Sequence, residues 1–195
     1  MIRRLTSKHD EDKRKKKNQI VVGVVLVFLM LLSTLGYSFG TNLSQQNQQG
    51  AIVNYNGYEF SYFNGLWSLN IGGTIFSFIN SPATAFKTNS TLKSLTNYYG
   101  KPLYIYSENA EAEAEISRNL FGVSEEITPA CIEGATCGKG IQVKTCEDNF
   151  IIIKETKEAS ISQENGCIFL YGPPESLTRV TDGFLLKIIG VNWVW

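Results

Sequence analysis

A single apolar run near the N-terminus constrains this chain more than any other feature of its sequence. From Ile20 to Leu32 every residue is apolar or glycine, and the run continues to Phe39 with only three aliphatic hydroxyl side chains. Twenty helical residues at about 1.5 Å each span about 30 Å, which matches the hydrocarbon core of a bilayer. The run therefore predicts a transmembrane helix over 20–39.

Basic residues lie on one side of this run only. The segment 1–19 holds eight Lys and Arg against three Asp and Glu, and the next basic residue after the run is Lys87. This asymmetry predicts a cytoplasmic basic tail over 1–19, a signal-anchor helix over 20–39 that crosses the cell membrane once and contacts its lipid, and an extracytoplasmic remainder. A secretory signal cleaved near Ser38 and Gly40 is the alternative, and it places the remainder on the same side.

The rest of the chain is predicted to be a linker and one domain. Residues 40–50 are polar, uncharged and without hydrophobic periodicity, which is typical of a flexible linker. The segment 51–195 has about 145 residues, enough for one core. It holds ten Lys and Arg and fifteen Asp and Glu, a net charge of −5. We expect no nucleic-acid partner, because binding phosphates needs a basic face.

All four cysteines lie in this acidic domain, at Cys131, Cys137, Cys146 and Cys167. An even number in an oxidising compartment predicts two disulfides that stabilise the domain. Three pairings are open, and we favour Cys131–Cys137 with Cys146–Cys167 because short separations are the easiest to close. A four-thiolate metal site and a redox pair are the alternatives, but the first spacing, C-x5-C, is wider than either normally uses.

Three turn-forming dipeptides divide the start of the domain into short runs. Asn56-Gly57, Asn64-Gly65 and Gly72-Gly73 readily adopt the positive φ angles of two-residue hairpins. Within the runs, aromatic and branched residues alternate with polar ones, which is typical of strands with one buried face. The pattern predicts an antiparallel β-meander with strands at 51–55, 58–63, 66–71 and 74–79.

Helices and further strands are predicted after the meander. Apolar residues recur at helical spacing over 110–121 and over 174–189, and the first of these helices begins with several glutamates. A shorter helix is predicted after a cap at Ser90, and 122–140 is predicted to be a loop. The remaining strands are predicted at 102–107, 141–144, 149–155, 160–163 and 167–171. We expect an α+β domain with helices packed on a mixed sheet.

Few residues suggest catalysis. The only histidine, His9, lies in the basic tail, so the acidic domain has none for a catalytic pair or a metal site. Glu111 and Glu115 share one side of a predicted helix and are candidate paired carboxylates, although solvated helix-start charges are the favoured interpretation. Ser90 and Lys93 match S-x-x-K without its companion motifs. We assign no catalytic, cofactor-binding or metal-binding residue and expect no cofactor.

Two asparagines are candidate glycosylation sites. Asn42 begins Asn-Leu-Ser and Asn89 begins Asn-Ser-Thr, so both match the acceptor pattern. Both are predicted to lie outside the cytoplasm, where such modification takes place. The pattern is short and arises often by chance, so its use depends on the machinery of the organism.

Aromatic residues are abundant in the acidic domain. Core packing accounts for most of them, but a strip left exposed would be a binding surface for a glycan or a protein. The candidates are Tyr55, Tyr58, Phe60, Tyr62, Phe63, Trp67, Tyr98, Tyr99, Tyr104 and Tyr106. Trp193 and Trp195 are predicted to end the chain in a paired strand, with contact to the membrane interface or a partner as the alternative.

The function predicted from these patterns is binding or surface structure. We expect a single-pass envelope protein whose outer domain binds an envelope protein or a glycan, or builds surface structure. The alternative is an envelope enzyme that works without histidine and uses paired carboxylates. That enzyme requires a cleft in which two acidic side chains with perturbed pKa values converge.

Overall fold

In this computed structural model the described residues are 17, 19–30, 50–135 and 137–191. The chain divides into two compact units, Met1–Gln49 and Gly50–Trp195. The first unit contributes helix α1, residues 19–30, whose side chains are exposed. All the elements described below belong to the second unit.

The transmembrane helix predicted over 20–39 is wrong for the part of the chain that the structure describes. Among those residues, no helix is long and apolar enough to span a membrane. The described residues of α1, 19–30, give about 18 Å of helix at about 1.5 Å each, whereas the hydrocarbon core is about 30 Å thick. The rest of the predicted span, the basic tail before residue 17 and the linker up to residue 49 lie outside the described residues.

Four antiparallel strands open the second unit, paired in sequence order as predicted. They are β1, Ile52–Tyr55; β2, Tyr58–Phe63; β3, Leu66–Ile71; and β4, Thr74–Phe78. At the first two turns, Asn56 and Asn64 have φ angles of 51° and 49°, and the glycines that follow have 84° and 82°. These positive angles are the ones that two-residue hairpins require.

A second, six-stranded sheet follows the meander. Its strands are β5, Pro102–Ser107; β6, Glu126–Ile132; β7, Gln142–Lys144; β8, Phe150–Glu155; β9, Ser160–Glu164; and β10, Cys167–Gly172. The order across the sheet is β7-β6-β5-β8-β10-β9. Every neighbouring pair is parallel except β9 and β10. The predicted mixed sheet is confirmed.

Two helices connect and cover these strands. Helix α2, Ala110–Leu120, joins β5 to β6, and the side chain of Asn109 caps it by accepting from the N–H of Ala112 at 3.0 Å. Helix α3, Leu177–Ile189, follows a 3-10 turn at Pro174–Ser176. The two helices pack on each other, α2 on β4 and β5, and α3 on β9 and β10.

One hydrophobic core joins the meander, both helices and one face of the six-stranded sheet. The meander contributes Phe60 and Phe76, the helices contribute Ile116 and Phe184, and the sheet contributes Ile153, all of them at most 1% exposed. Because these side chains form a single cluster, the second unit folds around one core, as an α+β domain.

Two segments differ from the sequence prediction. Strand β6 lies within the segment 122–140, which was predicted to be a loop. Proline is rare inside a sheet, so Pro129 argued against a strand here. In the structure Pro129 is nevertheless part of β6 and pairs with Ile105 of β5. The helix predicted after Ser90 is reduced to a 3-10 turn at Leu95–Asn97. The Ser90 hydroxyl donates to the carbonyl of β9 residue Ile161 at 2.6 Å instead of capping a helix.

Gly183 lets α3 approach the chain after β4, and replacing it tests this packing. A Cβ atom at Gly183 would fall on the carbonyl oxygen of Phe86, whereas Gly122 has nothing within 4 Å of the same position. We expect Gly183→Ala to lower the free energy of unfolding by about 1–2 kcal/mol, because overpacking outweighs the roughly 1 kcal/mol that alanine gains in a helix. Gly122→Ala, the control, should change it by less than about 0.5 kcal/mol in urea denaturation. Equal effects would contradict the tight contact.

Candidate functional site

Side chains of the helices satisfy the backbone at the free edge of strand β4. Asn119 of α2 bonds to Ser77 as a neighbouring strand would. Its Oδ1 accepts from the Ser77 N–H at 2.8 Å, and its Nδ2 donates to the Ser77 carbonyl at 2.8 Å. Since β4 is the last strand of the meander, these bonds replace the pairing that a fifth strand would give.

The two residues that follow β4 donate to carboxylates. The N–H of Ile79 donates to Glu115 Oε1 at 2.9 Å. The N–H and the side-chain amide of Asn80 donate to Asp182 Oδ2 at 2.8 and 2.9 Å. Glu115 also forms an ion pair with Arg118 of the same helix. We call this set the polar seam; its members are Ser77, Ile79, Asn80, Glu115, Asn119 and Asp182.

The polar seam holds two carboxyl groups that are fully buried. Glu115 and Asp182 are both 0% exposed. Burial raises the pKa of Asp182 to about 8; a hydrogen bond with Glu115 and its negative charge act in the same direction, and the Asn80 donors oppose them. Asp182 is therefore protonated at neutral pH. Among the described residues its Oδ1 meets no N–H or O–H donor, which leaves this oxygen able to carry the proton.

Two buried carboxyl groups, one of them protonated, resemble the acid–base pairs of some enzymes. A reacting group, however, must come within hydrogen-bond reach of a substrate, and neither Glu115 nor Asp182 is exposed to solvent. The predicted pair of Glu111 and Glu115 does not form such a site either, because Glu111 is exposed while Glu115 points into the seam. The arrangement joins the meander to the helices and holds a proton.

The buried acid makes a specific pH dependence testable. Asp182 has a pKa of about 8 in the folded protein and an ordinary value of 3.8 in water, so between pH 4 and pH 8 the folded state binds about one more proton than the unfolded state. The contribution of Asp182 to the free energy of unfolding is therefore fully present below about pH 4. It falls by up to about 1.4 kcal/mol for each pH unit as the pH rises to 8. Asp182→Asn mimics the protonated acid and does not titrate.

We therefore expect the stability of Asp182→Asn minus that of the wild type to rise from pH 4 to pH 8. Urea denaturation at several pH values measures this difference. Glu158→Gln, at an exposed acid outside the seam, is the control and should show no such rise. Parallel curves for Asp182→Asn and the wild type would contradict the buried, protonated acid.

The six-stranded sheet presents aromatic side chains on the face opposite α2 and α3. We call this the aromatic face; its members are Tyr104 and Tyr106 on β5, Phe150 and Ile152 on β8, and Phe169 and Tyr171 on β10. Register places Tyr106 beside Ile152 and Ile152 beside Phe169, in one row across the strands. The four outer rings are half-buried, and Phe169 meets Tyr171 edge to face at 5.8 Å.

Charged side chains border the aromatic face. Lys144 lies 3.9 Å from the centre of the Tyr104 ring and 3.6 Å from Asp148. Lys154 lies 5.7 Å from the centre of the Tyr106 ring. It forms no ion pair within the described part of the chain. An aromatic centre with a charged rim is the usual composition of a protein interface.

Glu108 is the carboxylate of this rim. It accepts from the Tyr106 hydroxyl at 3.2 Å and from the N–H of Glu155 at 3.0 Å. Burial raises the pKa of Tyr106, and the hydrogen bond and charge of Glu108 raise it further. Burial also raises the pKa of Tyr171, again with help from Glu108. Both hydroxyls therefore stay protonated and can donate at neutral pH.

Two disulfides border the same region and confirm the favoured pairing. Cys131–Cys137 closes the loop after β6 with a Cα–Cα distance of 6.1 Å. Cys146–Cys167 joins the turn before β8 to β10 with a Cα–Cα distance of 4.7 Å. The alternative of a four-thiolate metal site is wrong, because all four sulfurs are paired. In the described residues, no cluster of three metal-ligating side chains is present.

The two disulfides should differ in their contribution to stability. They span 21 and 6 residues of sequence, and the longer loop restricts the unfolded chain more. On the chain-entropy model, replacing Cys146 and Cys167 by serine costs about 3 kcal/mol, and replacing the other pair costs about 2 kcal/mol. Urea denaturation of the two double variants measures both. A larger loss from the shorter loop would contradict this order.

The structure locates only some of the other predicted residues. Asn89 is exposed. The backbone N–H of Lys93 donates to Gln163 Oε1 at 2.7 Å, and the Ser90 hydroxyl is bonded to Ile161 as described above, so Ser90 and Lys93 are not arranged as a nucleophile and its base. His9, Asn42, Trp193 and Trp195 lie outside the described residues.

Sequence reasoning missed Asp182 and Asn119. A signal for Asp182 was present, because it comes three and four residues before Leu185 and Leu186 on a helix that is buried on almost every side. An acid at such a position has to be buried, and buried acids are paired or protonated. Asn119 has no comparable signal, since its partner Ser77 is distant in sequence.

Comparisons with known proteins do not assign this chain to a family. No family model, curated protein or solved structure matches the chain. A functional proposal therefore depends on the polar seam, the aromatic face and the disulfides themselves.

Proposed function

We propose that this chain is a non-catalytic assembly protein of an oxidising, extracytoplasmic compartment, in which two copies bind each other through the aromatic face. The observation that carries the proposal is the aromatic face, which lies on the side of a mostly parallel sheet opposite both α2 and α3. Two disulfides support the compartment, since such bonds persist outside the reducing cytoplasm.

A protein layer is the natural cover for this face. Sheets of parallel strands are normally covered on both faces, and here β6, β5, β8 and β10 are all parallel neighbours. Six strands about 4.8 Å apart and about 18 Å long give the whole sheet a face of roughly 500 Å² in projection, of which the three strands of the aromatic face provide about half. A stable interface buries roughly 800 Å² of accessible surface on each partner, which is the same order.

The charges favour a second copy as the partner. Lys154 lacks an anion and Glu108 lacks a cation within the described residues, although both lie at the rim of the aromatic face. Both side chains lie next to Tyr106, so a two-fold axis that passes close to this ring places Lys154 of one copy beside Glu108 of the other and repeats the contact. The surface is therefore complementary to itself, which fits a symmetric dimer.

The polar seam supports an enzyme less well than the aromatic face supports assembly. Asp182 has the raised pKa that a carboxylate enzyme requires, but its side chain and that of Glu115 are closed to solvent. A glycan is also a weaker candidate than a protein for the aromatic face, since Lys144 already lies over the Tyr104 ring.

A charge exchange tests the dimer directly. We expect analytical ultracentrifugation of the purified chain to show a dimer, and Lys154→Glu and Glu108→Lys to weaken it at least tenfold each. Combining the two changes should restore most of the affinity, because the pair is re-formed with reversed charges. Lys101→Glu, on the opposite face at the start of β5, is the matched control and should leave the dimer intact.

Several results would contradict the proposal. A monomer at every concentration tested would do so, as would a dimer that Lys154→Glu and Lys101→Glu affect equally. A monomer whose aromatic face binds a soluble oligosaccharide, seen as shifts of the Tyr106 and Phe169 amide signals, would replace assembly with glycan binding.

A further inference from the structure

A cleft of about 430 Å³ lies where β10 ends and α3 begins. The segment 84–87 forms one wall, and Pro173 and the first turns of α3 form the other. None of the members of the aromatic face or the polar seam lines this cleft. Its volume falls in the range of small-molecule sites, roughly 300–1,000 Å³.

The lining of the cleft combines apolar surface with positive charge. Phe86, Pro173 and Val180 supply apolar walls, and Lys87 and Arg179 supply two cations. One acid, Glu175, lies on the same lining. Sites for small ligands usually have this composition, in which a few polar groups orient a ligand held by apolar contacts.

Arg179 is placed to bind an anion. It is four residues after Glu175 on the same helical segment, a spacing at which acid and base often pair. The pair does not form, and within the described residues the guanidinium makes neither a hydrogen bond nor an ion pair. Its backbone carbonyl accepts from the Phe86 N–H at 2.9 Å, which fixes the two walls against each other.

The position of the cleft in the fold is also typical of a binding site. In sheets with parallel strands, ligands bind outside the carboxyl ends of the strands, and Pro173 directly follows the last residue of β10. The Ser176 hydroxyl donates to the Pro173 carbonyl at 3.1 Å and makes no cap on α3. The start of α3 therefore adds a modest positive potential to that of the two cations.

We propose that this cleft binds a small organic carboxylate with an apolar body. The guanidinium of Arg179 binds the carboxylate, which it can do through two parallel hydrogen bonds. The apolar body packs on Phe86 and Pro173, which are half-buried. This proposal is independent of assembly through the aromatic face, because the two surfaces share no residue.

Titration of the full chain with benzoate and benzamide tests the site. The two probes have the same ring, but only benzoate is charged. We expect benzoate to shift the amide NMR signals of Phe86, Ser176 and Val180, with at least tenfold higher affinity than benzamide. Arg179→Gln should weaken benzoate binding at least tenfold. Lys101→Gln, an exposed lysine at the opposite end of the sheet, is the control and should change nothing.

Each alternative outcome is decisive. Equal binding of benzoate and benzamide, or binding that Arg179→Gln leaves unchanged, would overturn the carboxylate site. So would an absence of shifts at millimolar benzoate. Inorganic phosphate is the third probe, and if it bound more tightly than benzoate the site would be one for phosphate instead. Unchanged melting temperatures of the variants would show that each change acts on binding rather than on folding.

Discussion

The free edge of strand β4 has backbone groups that need partners, and the way the chain supplies them shapes the whole domain. An unpaired edge would leave the Ser77 and Ile79 N–H groups unsatisfied inside the protein, at a cost of about 1–3 kcal/mol each. Asn119 and Glu115 of α2 bond to them, and Asp182 of α3 bonds to Asn80. The meander is thereby fixed to both helices by direct hydrogen bonds, in addition to the shared apolar core.

Because of this constraint, the surfaces that hold the domain together differ from those that could bind a partner or a ligand. The helices are occupied on one side by the polar seam and on the other by the six-stranded sheet, so their inner surfaces are not available to a ligand. The two surfaces proposed for binding lie elsewhere. One is the aromatic face of the six-stranded sheet, and the other is the cleft after β10, where Arg179 projects from the first turns of α3.

The sequence predicted the local part of this fold and missed the long-range part. Alternation and turn residues such as Asn56 and Asn64 placed the meander strands within a residue or two, because hairpins are determined by neighbours in sequence. Strand β6 was missed because it contains Pro129, a residue that rarely occurs inside a sheet, and because it pairs with β5, which precedes it by a whole helix in the sequence. The seam joins residues 36 to 102 positions apart, a separation that periodicity cannot reveal. The apolar run near the N-terminus predicted a membrane span, but no helix among the described residues is long and apolar enough to be one.

Asp182 is a buried, protonated acid beside Glu115, and this pair of side chains holds the helices and the meander together. The direct test is an NMR titration of the ¹³C carboxyl signal of Asp182 in the folded protein. The account predicts a midpoint of about pH 8, with the acid protonated at neutral pH. A midpoint near 4, the ordinary range of an aspartate in water, would show an ionised, solvated side chain and contradict it.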